Sequence, residues 1–154
     1  MKNEFMKKAI ELSIESVNNG GGPFGCVIVK DAKIVSEGSN KVTSTNDPTA
    51  HGEIVAIRNA CEKLNNFNLK GSEIYSTAEP CPMCLSAIYW ARIDEIYYAN
   101  TRDDARKIDF DDSLIYSELQ KNIDKRKIIM TQIMRDEAIK AFELWDKKKD
   151  KVKY

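Results

Sequence analysis

The chain has 154 residues, with 24 basic and 24 acidic side chains, one histidine, four cysteines and 42% hydrophobic residues. This length predicts a single globular domain over residues 1–154, and the apolar share excludes intrinsic disorder and a fibrous repeat. The formal net charge of zero argues against a dedicated nucleic-acid-binding protein.

The first part of the chain predicts a helix followed by a β-hairpin. Apolar residues at near-helical spacing predict the helix over residues 4–18, and the Asn- and Gly-rich run 18–23 ends it. The β-branched runs 27–29 and 34–35 flank a short polar turn and predict two paired strands. That turn contains no glycine, so its residues leave the turn type open.

The single histidine and a nearby glutamate lie where a second helix is predicted to begin. This helix opens near Thr49, so His51 and Glu53 fall in its first turn. Apolar residues spaced 3, 4 and 3 positions apart mark the face that it should bury. They are Ile54, Ile57, Cys61 and Leu64.

Two of the cysteines lie at the start of a third helix. A predicted strand at residues 73–77 leads into the sequence Glu-Pro-Cys-Pro-Met-Cys, which ends at Cys84. Pro82 suits the first position of a helix, here one that runs to about residue 92. Cys81 and Cys84 are therefore expected at this helix N-terminus.

The rest of the chain supplies further strands and helices, which bring the predicted strands to five. Strands that alternate with helices indicate an α/β layered sheet with crossover connections. The remaining predicted elements are a strand at 95–99, a short helix at 113–119, an apolar strand at 128–133 and an amphipathic helix with Ala138, Phe142 and Trp145.

The apolar runs and the N-terminal residues bear on the compartment. The longest apolar runs, 26–29 and 87–91, are well short of the roughly 18 residues that a membrane span needs. The first residues lack the apolar region of a secretory signal. We therefore expect a cytoplasmic protein without membrane contact. In that reducing compartment a Cys-x-x-Cys pair is more typical of a metal or redox site than of a disulfide.

His51, Cys81 and Cys84 together form a candidate metal-ligand set of one imidazole and two thiolates. Three protein ligands leave a tetrahedral zinc ion with one open position, which is the arrangement of catalytic rather than structural zinc sites. Both helix N-termini also favour thiolate over thiol through the helix dipole and the free backbone N–H groups.

Glu53 is the candidate base beside this set. It follows His51 by two positions, which places it roughly 200° around a helix axis, so it is not expected to bind the same metal. In the functional interpretation it removes a proton from the attacking water and carries it to the leaving group. In the alternative interpretation it is an acidic residue of the kind favoured in any first helical turn.

His-x-Glu followed by Pro-Cys-x-x-Cys is the signature of the zinc-dependent nucleobase deaminases. The chain carries both parts, in residues 48–53 and 79–84, and resembles the cytidine deaminase-like superfamily. Within that superfamily it is similar to the bacterial guanine deaminases over most of its length. The stretches that carry the similarity are 22–25, 46–51, 87–92 and 110–116, with the terminal Tyr154.

The resemblance implies a three-layer α/β/α cytidine deaminase-like fold with a central mixed sheet of about five strands. It implies Zn²⁺ bound by His51, Cys81 and Cys84, with Glu53 as the proton shuttle. The reaction implied is the hydrolysis of guanine to xanthine and ammonia, in purine catabolism or salvage.

The resemblance also implies the substrate contacts. Phe24 would stack on the purine, Asn40 would hydrogen-bond it, and Asp112, preferred here to Asp111, would recognise the guanine edge or help to protonate it. Guanine deaminases of this type are homodimers that exchange C-terminal segments, so Tyr154 would close the active site of the partner. From the residues alone, Phe24 is equally a core anchor, Asn40 a turn former and Asp112 part of a helix N-cap.

The chain departs from the family pattern in two places. Gly52 stands where relatives usually have alanine, and glycine costs about 1 kcal/mol against alanine inside a helix. This leaves the ligand set intact and bears on local rigidity. The stretch 121–127 matches the family poorly, which bears on the path of the exchanged C-terminal segment.

Three other functions are compatible with the motifs. The same zinc chemistry serves other bases and nucleosides, such as cytosine or guanosine, and adenosine in tRNA. The Lys-rich tail at 147–153 favours a tRNA substrate, whereas the net charge of zero argues against it. In the third alternative, Cys26 or Cys61 completes a closed four-ligand zinc site and the protein is a structural module.

Overall fold

The computed structural model describes all 154 residues, and these form two compact units, Met1–Asp112 and Ser113–Tyr154. None of the helices has both the length and the apolar character of a membrane span. The first unit contains α1 (Lys2–Asn18), β1 (Gly25–Lys30), β2 (Lys33–Ser39), α2 (Val42–Thr45), α3 (Gly52–Leu64), β3 (Ser72–Ala78), α4 (Pro82–Trp90), β4 (Glu95–Asn100) and α5 (Arg102–Arg106). The second unit contains α6 (Ser113–Gln120), a 3₁₀ turn (Ile123–Lys125) and α7 (Arg135–Lys147).

The four strands form one mixed sheet in the order β2-β1-β3-β4. Strand β1 runs antiparallel to β2 and to β3, whereas β3 and β4 are parallel. A parallel pair needs a crossover connection, and α4 supplies it between β3 and β4. The predicted hairpin and the predicted strands near 73–77 and 95–99 are therefore confirmed.

Both faces of the sheet are covered, which explains the continuous apolar run of β1. Side chains alternate along a strand, so Cys26 and Ile28 pack with residues of α3 and α4. Val27, between them, packs in a second cluster with Ala9 of α1. The first unit is accordingly built in three layers, with α1 on one side and α3 and α4 on the other, as expected from the family resemblance.

Helix α3 lies unusually close to β2, and this changes which of its residues are buried. A Cβ atom on Gly38 would lie 2.3 Å from the carbonyl oxygen of Gly52 and 2.5 Å from the nitrogen of Ala56, so only glycine fits there. The buried residues of α3 are Gly52, Glu53, Val55, Ala56 and Ala60.

The predicted buried stripe on this helix is therefore only partly confirmed, and Ile54 is half-buried. Ile57 and Cys61 are only partly buried at the flank of the core, and Leu64 is 37% exposed. The physical reason is the close approach of helix and strand, because small side chains occupy the contact and displace the larger ones to its edge.

The fifth predicted strand, at residues 128–133, is absent, so the sheet has four strands rather than about five. Ile128 and Ile129 are 80% and 87% exposed and belong to no strand. An apolar run forms a strand only where a neighbouring strand pairs its backbone groups, and the second unit contains no strand. The predicted helices near 113–119 and around Ala138, Phe142 and Trp145 are confirmed as α6 and α7.

The hairpin turn generates a test of local stability. Asp31 and Ala32 both have positive φ, at 51° and 56°, which is the pattern of a type I′ two-residue turn. Left-handed backbone costs a non-glycine residue roughly 1–2 kcal/mol, and a glycine avoids this cost. Glycine also makes the unfolded chain more flexible, which offsets about 0.4–1 kcal/mol of the stabilisation. We expect Ala32→Gly to raise the free energy of unfolding by about 1 kcal/mol, as measured by urea unfolding at unchanged m.

The control is Lys33→Gly, one residue further along in β2, where φ is not positive. Glycine inside a strand weakens it, so this variant should lose stability. An Ala32→Gly variant as unstable as Lys33→Gly would contradict the turn assignment.

Candidate active site

The N-termini of α3 and α4 meet at one point, shortly after the carboxyl end of β3. His51 is the N-cap residue of α3, and Cys81 is the N-cap residue of α4, both with extended backbone. Pro82 occupies the first turn of α4, where its fixed φ suits the helix and its missing N–H is not needed. Cys84 lies one turn into the same helix. The structure thus brings together the three residues that the sequence indicates as ligands.

The distances between these residues fit a tetrahedral zinc ion. The Sγ atoms of Cys81 and Cys84 each lie 3.6 Å from Nδ1 of His51, and the three ligand atoms all lie within 4.8 Å of one another. Zinc bonds of ~2.3 Å to sulfur and ~2.0 Å to nitrogen, at a tetrahedral angle, separate the two ligand atoms by about 3.6 Å. The cofactor of this site is Zn²⁺, with one coordination position left open by the protein.

Without metal, the two thiols are electrostatically unequal. A hydrogen bond from the Cys84 thiol, together with the neighbouring His51, lowers the pKa of Cys81 to about 4. The same hydrogen bond, burial and the nearby Glu53 raise the pKa of Cys84. His51 in turn has its pKa raised, chiefly by its contact with Cys81. Metal binding must therefore release the Cys84 proton, which makes zinc affinity fall as pH falls.

Glu53 lies beside the ligand cluster and is 6% exposed. Its Oε1 accepts a hydrogen bond of 3.0 Å from Oγ of Ser76, and its Oε2 lies 3.4 Å from Sγ of Cys84. Burial raises the pKa of this carboxyl, and a raised carboxyl pKa suits a group that must both accept and return a proton near neutral pH. The structure places Glu53 outside the ligand set, as its sequence spacing predicts.

Phe24 and Asn40 lie together on the loops around Gly22. A Cβ on Gly22 would lie 3.3 Å from both the Phe24 ring and Cγ of Asn40. The Phe24 ring packs edge to face against Phe110, with centroids 4.8 Å apart. Asn40 Oδ1 accepts a hydrogen bond from the N–H of Val42, which leaves its amide nitrogen to donate elsewhere.

Gly52 explains how the metal-binding helix meets this loop. A Cβ at Gly52 would lie 3.2 Å from the carbonyl oxygen of Phe24, closer than most side chains tolerate. Glycine therefore lets the start of α3 lie directly against the Phe24 backbone. This contact connects the ligand helix with one of the predicted substrate contacts.

Asp112 is partly buried, whereas Asp111 is exposed. Burial raises the pKa of the Asp112 carboxyl, Arg102 opposes that rise, and the thiolate of Cys81 adds to it. The Nε atom of Arg102 lies 3.9 Å from Oδ1 of Asp112. The backbone N–H of Arg102 is held in turn by Oε2 of Glu79, at 3.1 Å. Asp112 thus interacts electrostatically with Cys81 of the ligand cluster and with Arg102, whose backbone is bound by Glu79.

The remaining candidates are Tyr154, Cys26 and Cys61. Tyr154 belongs to the second unit and is 71% exposed, so its role stays a prediction. Cys26 and Cys61 are free thiols, and neither belongs to the ligand group. A closed four-ligand structural site is therefore not formed.

Sequence reasoning missed Ser76 and Glu79. Ser76 lies two residues after the core residue Ile74 on β3, so both side chains point to the same face of the sheet. A polar residue at such a buried position needs a hydrogen-bond partner, and this is the signal in the sequence that points to Ser76. Glu79 was visible only as part of the Glu-Pro-Cys sequence. Its contact with Arg102 joins residues 23 positions apart and has no local signature.

Comparison with known proteins agrees with this geometry. Residues 1–100 match the model of the cytidine and deoxycytidylate deaminase zinc-binding region. The chain is 48% identical over 151 residues to guanine deaminase of Bacillus subtilis, covering 97% of each chain. The X-ray structure of guanine deaminase from Bacillus subtilis superposes with a TM-score of 0.95 at 47% identity, covering 99% of this chain and 98% of that one.

A second group of relatives is similar at lower identity. The tRNA-specific adenosine deaminase of Aquifex aeolicus is 40% identical over 98 residues, covering 64% of this chain and 65% of that protein. The tRNA-specific adenosine deaminase of Buchnera aphidicola subsp. Schizaphis graminum is 34% identical over 146 residues, covering 94% of this chain and 93% of that protein.

The ligand geometry predicts the outcome of removing one thiolate. Loss of an outer-shell partner alone weakens a zinc site by about 10- to 100-fold, so loss of a ligand should exceed this. We expect Cys84→Ala to retain little zinc after dialysis, as measured by mass spectrometry of the metal, and to unfold at lower temperature.

The matched control is Cys61→Ala, which removes a partly buried thiol outside the ligand group. It should keep one zinc per chain. Full zinc occupancy in Cys84→Ala would refute the ligand assignment.

Proposed function

The chain belongs to the cytidine and deoxycytidylate deaminase zinc-binding family, and from this premise we propose that it is a guanine deaminase, which hydrolyses guanine to xanthine and ammonia. It is a zinc-dependent hydrolase. The observation that carries the choice of guanine is the similarity to Bacillus subtilis guanine deaminase over nearly the whole of both chains. The buried carboxylate of Glu53 beside a three-ligand cluster supports the hydrolytic chemistry.

In the proposed mechanism Glu53 moves protons at the reacting centre. Zn²⁺ held by His51, Cys81 and Cys84 is a Lewis acid that lowers the pKa of water and so makes a nucleophile available at neutral pH. Glu53 takes one proton from the attacking water and delivers it to N3 of guanine as the new C–O bond forms at C2. Glu53 then takes the second proton, from the hydroxyl now on C2, and passes it to the exocyclic amine. The C2 carbonyl forms as the C2–N bond breaks and ammonia leaves.

The other proposed site residues bind and orient the base. Phe24 offers a ring face held by Phe110, on which a purine can stack. The amide nitrogen of Asn40 is placed to donate a hydrogen bond to a ring acceptor. Asp112 recognises the guanine edge and helps to protonate the leaving amine, for which its raised pKa is suited.

We further propose that the protein is a homodimer with exchanged C-terminal segments. The support is the exposed apolar surface of the second unit, where no residue is buried in the single chain. Ile129 and Phe142 are 87% and 74% exposed, and a second copy would cover such a surface. In this arrangement Tyr154 reaches the active site of the partner.

The proposed setting is purine catabolism or salvage in the cytoplasm, with residues 1–154 acting as one deaminase domain. All four cysteines are free thiols, which agrees with a reducing compartment. The proposed ligand is a free purine base rather than nucleic acid or a membrane, and a net charge of zero supports this.

The second candidate is adenosine deamination in tRNA. The similarity to tRNA-specific adenosine deaminases favours it, because those proteins share the zinc-binding motifs. The lower identity of those relatives places it behind guanine.

Ammonia release separates these functions. Zinc-replete protein is given guanine, guanosine, cytosine, cytidine, adenine or a tRNA anticodon stem, and we expect turnover of guanine alone. Glu53→Gln should keep one zinc per chain and lose about 10²- to 10⁴-fold in kcat, because it cannot transfer the proton.

The control for surface carboxylates is Glu62→Gln, on the same helix and exposed, which should match the parent. Turnover of only another panel member would overturn the substrate choice. Retained activity in Glu53→Gln would refute its role as proton shuttle.

Mixing of variants tests the exchanged segment. Deletion of Tyr154 should lower kcat without lowering the unfolding temperature. The chain without Tyr154 is then refolded with an equal amount of Glu53→Gln chain. About half of the dimers are mixed and each mixed dimer has one intact site of two, so activity should return to about a quarter of the parent value.

The control mixture pairs Glu53→Gln with a chain that carries both changes, which can assemble no intact site. It should stay inactive. Failure of the first mixture to recover activity, with mixed dimers demonstrated, would exclude the arrangement in trans.

A further inference from the structure

Ser76 is the one side-chain hydroxyl that hydrogen-bonds the Glu53 carboxylate. It lies within β3, 2% exposed, and its backbone is fixed by pairing with Cys26 on β1 and Tyr98 on β4. Its Oγ donates to Oε1 of Glu53 at 3.0 Å. The donor is thus carried by a central strand of the sheet, while the acceptor is carried by the first turn of α3.

The two carboxylate oxygens of Glu53 have different surroundings. Oε1 accepts a hydrogen bond from Ser76 on the sheet. Oε2 accepts a hydrogen bond of 3.4 Å from the Cys84 thiol and so faces the ligand cluster. The terminal torsion of glutamate is broad and roughly two-fold, so the side chain by itself does not choose between the two oxygens. The choice must come from the surroundings.

We propose that Ser76 is a positioning residue that reserves Oε2 of Glu53 for proton transfer by occupying Oε1. The inference rests on the proposed role of Glu53 as proton shuttle. The Ser76 hydroxyl keeps its own proton throughout. A water proton passes to Oε2 and then from Oε2 to the base, so Ser76 is neither oxidised nor deprotonated.

The hydrogen bond works in both protonation states of Glu53. When the carboxyl is ionised, Ser76 donates to Oε1. When the proton is on Oε2, Oε1 is a carbonyl oxygen and accepts the same bond. A proton on Oε1 would force the Ser76 hydroxyl to turn and accept, and its own hydrogen would then be buried without an acceptor.

Removal of the hydroxyl should slow chemistry without changing binding. In Ser76→Ala the carboxylate is free to turn. Displacement of a catalytic group by about 1 Å can cost about 100-fold in rate, so we expect kcat to fall by about 10- to 100-fold. The KM for guanine should stay within about two-fold of the parent value, and the zinc content should stay at one per chain. We expect this because Ser76 is proposed to act on Glu53 and not on guanine or zinc. Ser76→Thr restores a hydroxyl at the same position and should recover most of the lost kcat.

A second buried serine provides the matched control. Oγ of Ser36, on β2, donates to the carbonyl oxygen of Ala56 at 2.8 Å. Ser36→Ala therefore removes another buried bond between the sheet and α3, without touching Glu53. It should lose stability comparable to that lost in Ser76→Ala, and its kcat should stay within about two-fold of the parent.

The pattern across the three variants decides the proposal. A kcat for Ser76→Ala within two-fold of the parent, an effect on KM alone, or an equal loss of kcat in Ser36→Ala would each overturn it. If Ser76→Ala loses zinc or unfolds, Ser76→Thr decides: near-parent kcat with full zinc supports the proposal, and low kcat with full zinc overturns it.

The readouts also separate this inference from the proposed function. A parent protein that leaves guanine unchanged but deaminates another base contradicts the proposed substrate, and the Ser76 series is then measured with that base. A parent protein inactive on every base overturns both proposals.

Discussion

The meeting of two helix N-termini at one point is the constraint on which the rest of this structure depends. His51 caps α3 and Cys81 caps α4, and both Sγ atoms lie 3.6 Å from the imidazole nitrogen. Such separations require that α3 and α4 be held to within a few tenths of an ångström. The sheet provides this, because β3 runs directly into α4 and Gly38 of β2 allows α3 to approach to backbone contact.

Burial at this point gives each titratable group a different role. The pKa of Glu53 is raised by desolvation, whereas the pKa of Cys81 is lowered to about 4 by hydrogen bonds from Cys84 and His51. Glu53 thus favours its protonated form more than an exposed carboxyl does, whereas Cys81 favours the thiolate. A zinc ion held by this ligand set would stabilise the thiolates, and in the proposed mechanism the Glu53 carboxyl transfers the proton. Ser76 adds direction to this arrangement, since it engages one of the two oxygens of Glu53.

The second unit obeys a different constraint. Its helices α6 and α7 have no buried residues in the single chain, although the unit contains many apolar side chains. Exposure of this kind is unfavourable by roughly 25 cal/mol per Å² of apolar surface. In the proposed dimer, a second copy of the chain covers this apolar surface. In such a dimer the stability of this part of the chain would depend on protein concentration.

By itself, the sequence determined the chemistry of the site and the local elements that carry it. His51, Glu53, Cys81 and Cys84 lie in short motifs whose spacing places them at helix starts, and Pro82 marks one of those starts. These predictions succeeded because metal-ligand type, helix capping and strand alternation are properties of neighbouring residues.

Only the tertiary structure decided which surfaces meet. The run at 128–133 is as apolar as a strand but pairs with no strand. Helix α3 buries Val55, Ala56 and Ala60, whereas Ile57 is only partly buried. The contact of Ser76 with Glu53 joins residues 23 positions apart. Whether a residue is paired, buried or aimed at a carboxylate depends on segments distant in the chain, and periodicity within one segment carries no information about them.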